Sequence, residues 1–297
     1  MSKSASAPDT STDWAGARSS TVTAIASHVL LIIVAVVILY PVLWVVRMAL
    51  TPSQAFATGL SPIPTDPSLQ NFVDVIGRTD MNGTWLFGRQ LWNSLVVSSA
   101  SAFVGVALAT TAAYALSRFA FPGRKLGLGA LLATQMFPST MMMIPLYILL
   151  DKANLLDTQL GLVLVYATTA IPFSTWLLKG YFDTIPIELE EAARMDGAST
   201  LRIFFQIILP LARPAIAITA LFSFMTAWNE FILAAKLMNA QTSYTLPVVL
   251  QSYVGAKSTE WGHFAAGAIL VSVPVMALFF FLQRHLVEGL TAGSVKG

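Results

Sequence analysis

The sequence predicts an all-α fold: a polytopic membrane protein with six transmembrane helices and both termini cytoplasmic. Three observations carry that expectation. Of 297 residues, 56% are hydrophobic and only 11% charged, which is too little charge to cover a soluble domain of this length. Six long apolar runs follow one another, and about 20 residues at ~1.5 Å rise cross a hydrocarbon core of about 30 Å. Lys and Arg crowd into alternate connections, as the positive-inside rule requires.

Residues 1–23 are rich in Ser, Thr and Ala and read as a disordered tail. The run from Ala24 to Val46 is too long for a signal-peptide core and lacks an A-x-A site, so it reads as a retained first span. Residues 47–90 form an outer segment. Pro52, Pro62, Pro64 and Pro67 favour an extended path there, and Trp85 and Trp92 suit the membrane interface. The second span is Leu91 to Leu116. Its crowded Ser94, Ser98, Ser99 and Ser101 suit helix packing better than nucleophilic chemistry.

The connection "SRFAFPGRK" (117–125) holds three positive residues and faces inward. The third span, Leu126 to Leu150, leads to "DKANLLD" (151–157), which has one. The fourth span is Thr158 to Leu178, and residues 179–213 return to the inner side. The fifth is Pro214 to Ala235, interrupted by Glu230. Residues 236–263 make a second outer loop, too long for a simple turn. Within it Pro247 starts a short helix, "GAKST" (255–259) makes a polar tip and Trp261 anchors the return. The last span is Phe264 to Gln283, so the spanning domain covers 24–289 and a cytoplasmic tail covers 290–297.

The net charge of +2 gives no reason to expect nucleic acid. Without Cys, disulfides, thiolate metal sites and Cys nucleophiles are absent. The three His are dispersed, with no H-E-x-x-H, so no metal site is expected. There is no G-x-x-x-x-G-K-[ST] loop, so no nucleotide site is expected in this chain.

The stretch "EEAARMDGASTLRIFFQIILPLARP" (190–214) departs from its surroundings. Asp183, Thr184 and Pro186 read as a helix start, and Glu188, Glu190 and Glu191 favour the positive end of the helix dipole. Leu189, Ala192 and Ala193 share a small face, Glu190 and Arg194 are spaced for an i,i+4 pair, and Gly197 suits a left-handed cap. Ser199 or Thr200 starts an amphipathic helix that Pro210 and Pro214 bend into the membrane. So short a helix is stable only when packed on another surface. The residues alone allow either a connector lying on the membrane face or a docking helix.

Glu191-Ala192-Ala193, Gly197 and, nine residues on, Ile207-x-Leu209-Pro210 resemble the EAA motif of permease subunits in binding-protein-dependent ABC importers. "LWNS" (91–94), "AYALSRFAFPG" (113–123), "KGYFDTIP" (179–186), "WGHFAA" (261–266) and "LTAGSVKG" (290–297) resemble the smaller permease of maltose/maltodextrin importers, from about residue 24 onward.

That resemblance implies a type I importer permease of the cell membrane, a transport subunit rather than an enzyme. It implies four partners besides lipid: a second permease, a homodimeric or paired ABC ATPase carrying ATP and Mg, a soluble sugar-binding protein, and the sugar. ATPase docking falls by resemblance on Glu190, Glu191, Ala192, Ala193, Asp196, Gly197, Ile207, Leu209 and Pro210. The tail Ser294, Val295, Lys296 and Gly297 reaches the ATPase or simply frays. Tyr253, Val254, Gly255, Ala256, Lys257, Ser258 and Thr259 contact the binding protein, or cap the bundle passively.

Asn93 and Gln135 are candidates for lining a sugar path by hydrogen bonding. Asn229 and Glu230 lie near the outer interface, as an outer gate or as plain interfacial groups. Trehalose or another oligosaccharide fits the same architecture. An ion-coupled secondary transporter is the alternative from another class, although the mid-span regions carry almost no charge.

Overall fold

The computed structural model describes residues 21–59, 61–255 and 258–294. The described chain is helical throughout its ordered elements, which run α1 Thr21–Leu50, α2 Gln70–Ile76, α3 Leu86–Arg118, α4 Arg124–Thr134, α5 Ser139–Lys152 and α6 Gln159–Phe182. There follow α7 Glu188–Met195, α8 Thr200–Ile203, a π-helical turn Phe204–Ile208, α9 Leu209–Leu211, α10 Arg213–Asn229, α11 Ala234–Leu237, α12 Leu246–Ser252 and α13 Trp261–Ser294.

Four helices among the described residues are long and apolar enough to span: α1, α3, α6 and α13. A fifth path is bent, with Thr200–Leu211 and Arg213–Asn229 meeting at 76°. The apolar run Leu126 to Leu150 is not one helix. It breaks over residues 135–138 into α4 and α5, because Pro138 has no N–H to continue the ladder and the residue before a proline disfavours helical backbone. Together α4 and α5 still connect opposite ends. Ser117, at the start of the connection, bonds Asp183 beside α7, whereas Asp157, at its far end, accepts from the Asn239 and Ala240 amides on the way to α12.

Element edges also differ from the expected boundaries. Helix α1 begins at Thr21, inside the expected 1–23 tail, and residues 1–20 lie outside the described chain. Helix α13 continues to Ser294, so most of the expected 290–297 tail is helical, and residues 295–297 lie outside the described chain. The 47–90 segment is not a bare extended loop, since it carries α2, whereas 236–263 carries the expected helix at Pro247, α12, entered through α11.

The centre is the α3–α6 pair, the most extensive helix contact of the fold, joined by α10. Small residues on α3 allow it. Ser94, Ser98, Ser101, Ala102, Ala109 and Ala113 are all buried, and a methyl group built on Gly105 would lie 3.2 Å from Ala170 Cβ. Two apolar clusters close the ends. Tyr114, Phe182, Ile203, Phe204 and Ile208 pack beneath α7, and Met48, Val75, Tyr253, Ala265 and Ala266 pack beneath α12. Helix α1 stands apart: its most apolar stretch is bare, and it meets the rest of the chain near Trp44 to Ala49.

Candidate functional site

The EAA-like stretch folds into a short platform on one end of the bundle. Helix α7 ends at Gly197, whose φ of +80° is the left-handed cap expected there, and a residue with a Cβ would be strained at that turn. Ser199 caps the next helix, its Oγ accepting from Arg202 N at 3.4 Å. The start differs from expectation. Asp183 closes α6 instead of opening α7, which follows Ile187 with no side-chain cap. Asp183 is claimed by Ser117 Oγ (2.6 Å) and Lys179 Nζ (2.5 Å). Burial raises its carboxyl, but the hydrogen bonds from Lys179 and Ser117 and the charges of Lys179 and Arg124 outweigh that and hold its pKa below the ordinary value.

The expected docking residues divide between two faces. Glu190 is 0% exposed and points into the bundle. Its carboxylate accepts from Arg118 Nε (2.5 Å), Tyr114 Oη (3.0 Å) and Arg194 Nη2 (3.4 Å), and Arg118 also donates to the Ile185 carbonyl at 2.9 Å. Glu190 is therefore an anchor fastening α7 to the end of α3, and its carboxylate is not on the outward face. Ile207 and Leu209 likewise pack inward, with Ala193 beside them, and Pro210 is half-buried. Glu191, Ala192, Asp196 and Gly197 face outward, with Leu189 and Met195, the latter 88% exposed.

The π-turn explains how Leu209-Pro210 joins the span. Leu209 N bonds to Phe204 O, one residue wider than an α-turn. The widened turn makes room where Pro210 supplies no N–H and its ring would press on the preceding carbonyls. The chain then bends at Ala212, which is fully buried.

At the opposite end, Pro247 sits in the first turn of α12, as expected. Beyond it the chain makes a tight hairpin, with Val254 and Thr259 bridged and Gly255 N bonded to Ser258 O at 3.0 Å. Val254, Gly255 and Ser258 are exposed, whereas Ala256 and Lys257 lie outside the described residues. Tyr253 is not at the tip. It is buried under Arg78, whose guanidinium carbon lies 5.6 Å from the ring centre. The hairpin is held to the rest of this end by Gln54, which accepts from His263 N (3.1 Å), donates to Asn71 (2.7 Å) and offers its carbonyl to Trp261 N.

The four candidate path residues have different fates. Asn93 is buried and committed: its amide donates to the Thr242 and Tyr244 carbonyls and its oxygen accepts from Gln159 at 2.6 Å. Glu230 also has structural partners. It accepts from Tyr166 Oη at 2.6 Å and from the Leu233 and Ala234 amides, starting the short α11. Asn229 donates to its own helix, at Met225 O. Gln135 alone is exposed to a groove, at the α4–α5 break, with its amide on Thr169 O at 3.2 Å.

That groove, about 570 Å³, runs between α4, α6 and α10. Its walls include Phe173, Trp176 and Phe222, each about half exposed, with Ser174 and Ser223 paired at 3.1 Å beneath. These aromatics escaped the sequence reading because they sit inside apolar runs. The only signal is the i, i+3 spacing of Phe173 and Trp176 on α6; Phe222, on α10, has none.

A multi-pass helical membrane protein with a charged-anchored platform at one end and a hairpin at the other is the class these features define. Residues 102–291 match the family described as binding-protein-dependent transport system inner membrane component, and the chain belongs to that family. It is accordingly a transport component, not an enzyme. It is 37% identical over 273 residues to the galactooligosaccharides transport system permease protein of Bacillus subtilis, covering 91% of this chain and 95% of the relative. It is equally 37% identical to the maltodextrin transport system permease protein of Bacillus subtilis (92% and 96% covered) and to the trehalose transport system permease protein of Mycobacterium tuberculosis (87% and 93%).

Among solved structures, a bacterial ABC transporter importing the acidic polysaccharide alginate superposes with a TM-score of 0.73 at 25% identity, over 91% of this chain and 98% of that one. A methionine ABC transporter shares the fold alone, with a TM-score of 0.56 at 18% identity, over 69% of this chain and 97% of that one. These relatives do not favour an ion-coupled secondary transporter.

Proposed function

We propose that this chain is a permease subunit of an ATP-driven importer of a neutral oligosaccharide in the cell membrane, with maltodextrin as the leading substrate. Galactooligosaccharide and trehalose are its nearest competitors, since relatives with those names are equally similar. The observation that carries the reading is the build of α7. Its outward face is bare and partly apolar, while its inward face is pinned to α3 by a buried ion pair. A connector lying on the membrane needs no such pin; a part that transmits force does.

On this reading the α7 end is cytoplasmic and the bare face of α7 seats on an ATPase subunit carrying ATP and Mg. Glu191, Ala192, Asp196 and Gly197 lie in the contact, and the tail Ser294 to Gly297 is a further contact with the same partner. The chain itself binds no nucleotide. When the ATPase pair closes, α7 moves as a body, and the Arg118–Glu190 link transmits the displacement to α3 and hence to α6. The α12 hairpin, Val254 to Thr259, faces a soluble sugar-binding protein across the membrane, and a second permease completes the path.

Reconstitution with its genetic neighbours tests this. Uptake of maltodextrin should require ATP, the ATPase and the binding protein. Uptake driven by an ion gradient without ATP would overturn it, and exclusive uptake of galactooligosaccharide or trehalose would correct the substrate.

A further inference from the structure

We infer that the groove between α4, α6 and α10 is the wall this chain gives to a wet sugar path, with Phe173, Trp176 and Phe222 as stacking surfaces and Gln135 as the hydrogen-bonding group beside them. The inference rests on the importer reading and names where in this chain the sugar touches.

Two independent observations meet at the groove. The first is the break between α4 and α5. Helix α4 has 11 residues and α5 has 14, roughly 16 and 21 Å, so the break falls near mid-membrane. Interrupted backbone at that depth is tolerated only where it is buried in protein or lines a water-filled cavity. Here it opens onto the groove, where Gln135 is exposed.

The second is the composition of the walls. Phe173 stands 6.2 Å from Trp176 and 6.5 Å, edge-on, from Phe222, measured between ring centres, and all three rings are about half exposed. Between them lie an amide and hydroxyls. The Ser174 and Ser223 hydroxyls pair beneath and those of Thr169 and Thr226 bond carbonyls of their own helices, so the polar group offered to a ligand is the exposed Gln135 amide, for which a lipid-facing surface has no use. A sugar ring, apolar on its C–H faces and polar around its hydroxyl rim, uses both the aromatic rings and the amide, and the volume is that of a ligand pocket. Trp176 lies 17 residues along α6 from Gln159, about 26 Å, so the contact is in the half of the membrane nearer α7.

The chain has no cysteine, so one introduced thiol reports on one position. In the reconstituted full importer during ATP turnover, Trp176→Cys and Phe222→Cys should react with a membrane-impermeant thiol reagent. The sugar that the parent imports, chosen from maltodextrin, galactooligosaccharide and trehalose, should protect them. Phe281→Cys, on the exposed flank of α13, should not react. Separately, Trp176→Ala should lower uptake at limiting sugar by about 3- to 10-fold, with Trp176→Phe restoring most of it and subunit co-purification unchanged.

Absence of labelling, labelling without sugar protection, or loss of the second permease from Trp176→Ala would each overturn the assignment, the last by making this face a subunit interface. Sugar uptake by the parent that proceeds without ATP refutes the importer reading, a result seen without any variant.

Discussion

Glu190 and Glu191 are adjacent glutamates on α7 with opposite positions, and a substitution pair separates them. Glu190 is buried between Arg118, Tyr114 and Arg194, whereas Glu191 is exposed. Replacing Glu190 by Ala strands the Arg118 guanidinium, which is 7% exposed, and such removals cost about 3–5 kcal/mol. Glu190→Ala should therefore lower the thermal stability of the purified chain, read by an unfolding assay in detergent. Glu191→Ala should change stability by less than about 0.5 kcal/mol, as surface substitutions do, and weaken only ATPase association. Equal stability loss in both would show that the pin is not Glu190. The first-turn position of three glutamates was legible from the sequence, as were the i,i+4 partner Arg194 and the turn at Gly197. That Glu190 faces inward was not, because its main partner sits 72 residues away at the end of another helix.

Among the elements, those set by local rules were the readable ones. Pro247 opens α12, Ser199 opens α8 and Thr158 caps α6 by accepting from Gly161 N at 3.1 Å. The elements set by competition were misread. Apolarity alone made 126–150 look like one span, and the Pro138 break outweighs it. The four polar path candidates were chosen by side-chain type, yet Asn93, Asn229 and Glu230 are committed to partners within the protein, and for Asn93 and Glu230 these include groups that only the fold brings near them.

The α12 hairpin supplies a test at this scale. Its Val254–Thr259 bridge makes the tip a separable unit, while the buried Tyr253 belongs to the packing beneath it. Replacing residues 255–258 with a two-residue Asn-Gly turn should leave assembly and basal ATPase activity intact and reduce stimulation by the sugar-loaded binding protein. Tyr253→Ala should instead destabilise the chain by about 3–5 kcal/mol, as large-to-small aromatic core changes do. If the shortened hairpin is stimulated like the parent, the tip is a passive cap.

For the whole molecule, the all-α membrane class followed from composition, but the number of crossings depends on how the broken elements are counted. Among the described residues four helices are long and apolar enough to span, the α8–α10 path is bent, and α4–α5 is split. The structure leads α4–α5 from beside Asp183 to beside Asn239, so six crossings are expected. Single thiols in the cysteine-free chain check this in oriented vesicles: Ala120→Cys and Ala198→Cys should label from one side, Ala153→Cys and Ser258→Cys from the other. Labelling of Ala153→Cys on the side of Ala120→Cys would make α4–α5 a re-entrant loop and reduce the crossings to five.

The bend at Ala212 has a mechanical meaning. The arm Thr200–Leu211 is about 18 Å long and the arm Arg213–Asn229 about 26 Å, set at 76° to each other. Two stiff arms meeting at an angle behave as a bell crank. A push along the membrane surface at the short arm becomes a tilt of the long arm, enlarged roughly 1.4-fold at its far tip. That tip is where Glu230 holds Tyr166 of α6. On the importer reading proposed above, a small stroke delivered at the platform would thus be geared up before it reaches the other face of the bilayer. The stiffness of this gear depends on the fully buried Ala212 pivot, where any larger side chain would have to pry the arms apart.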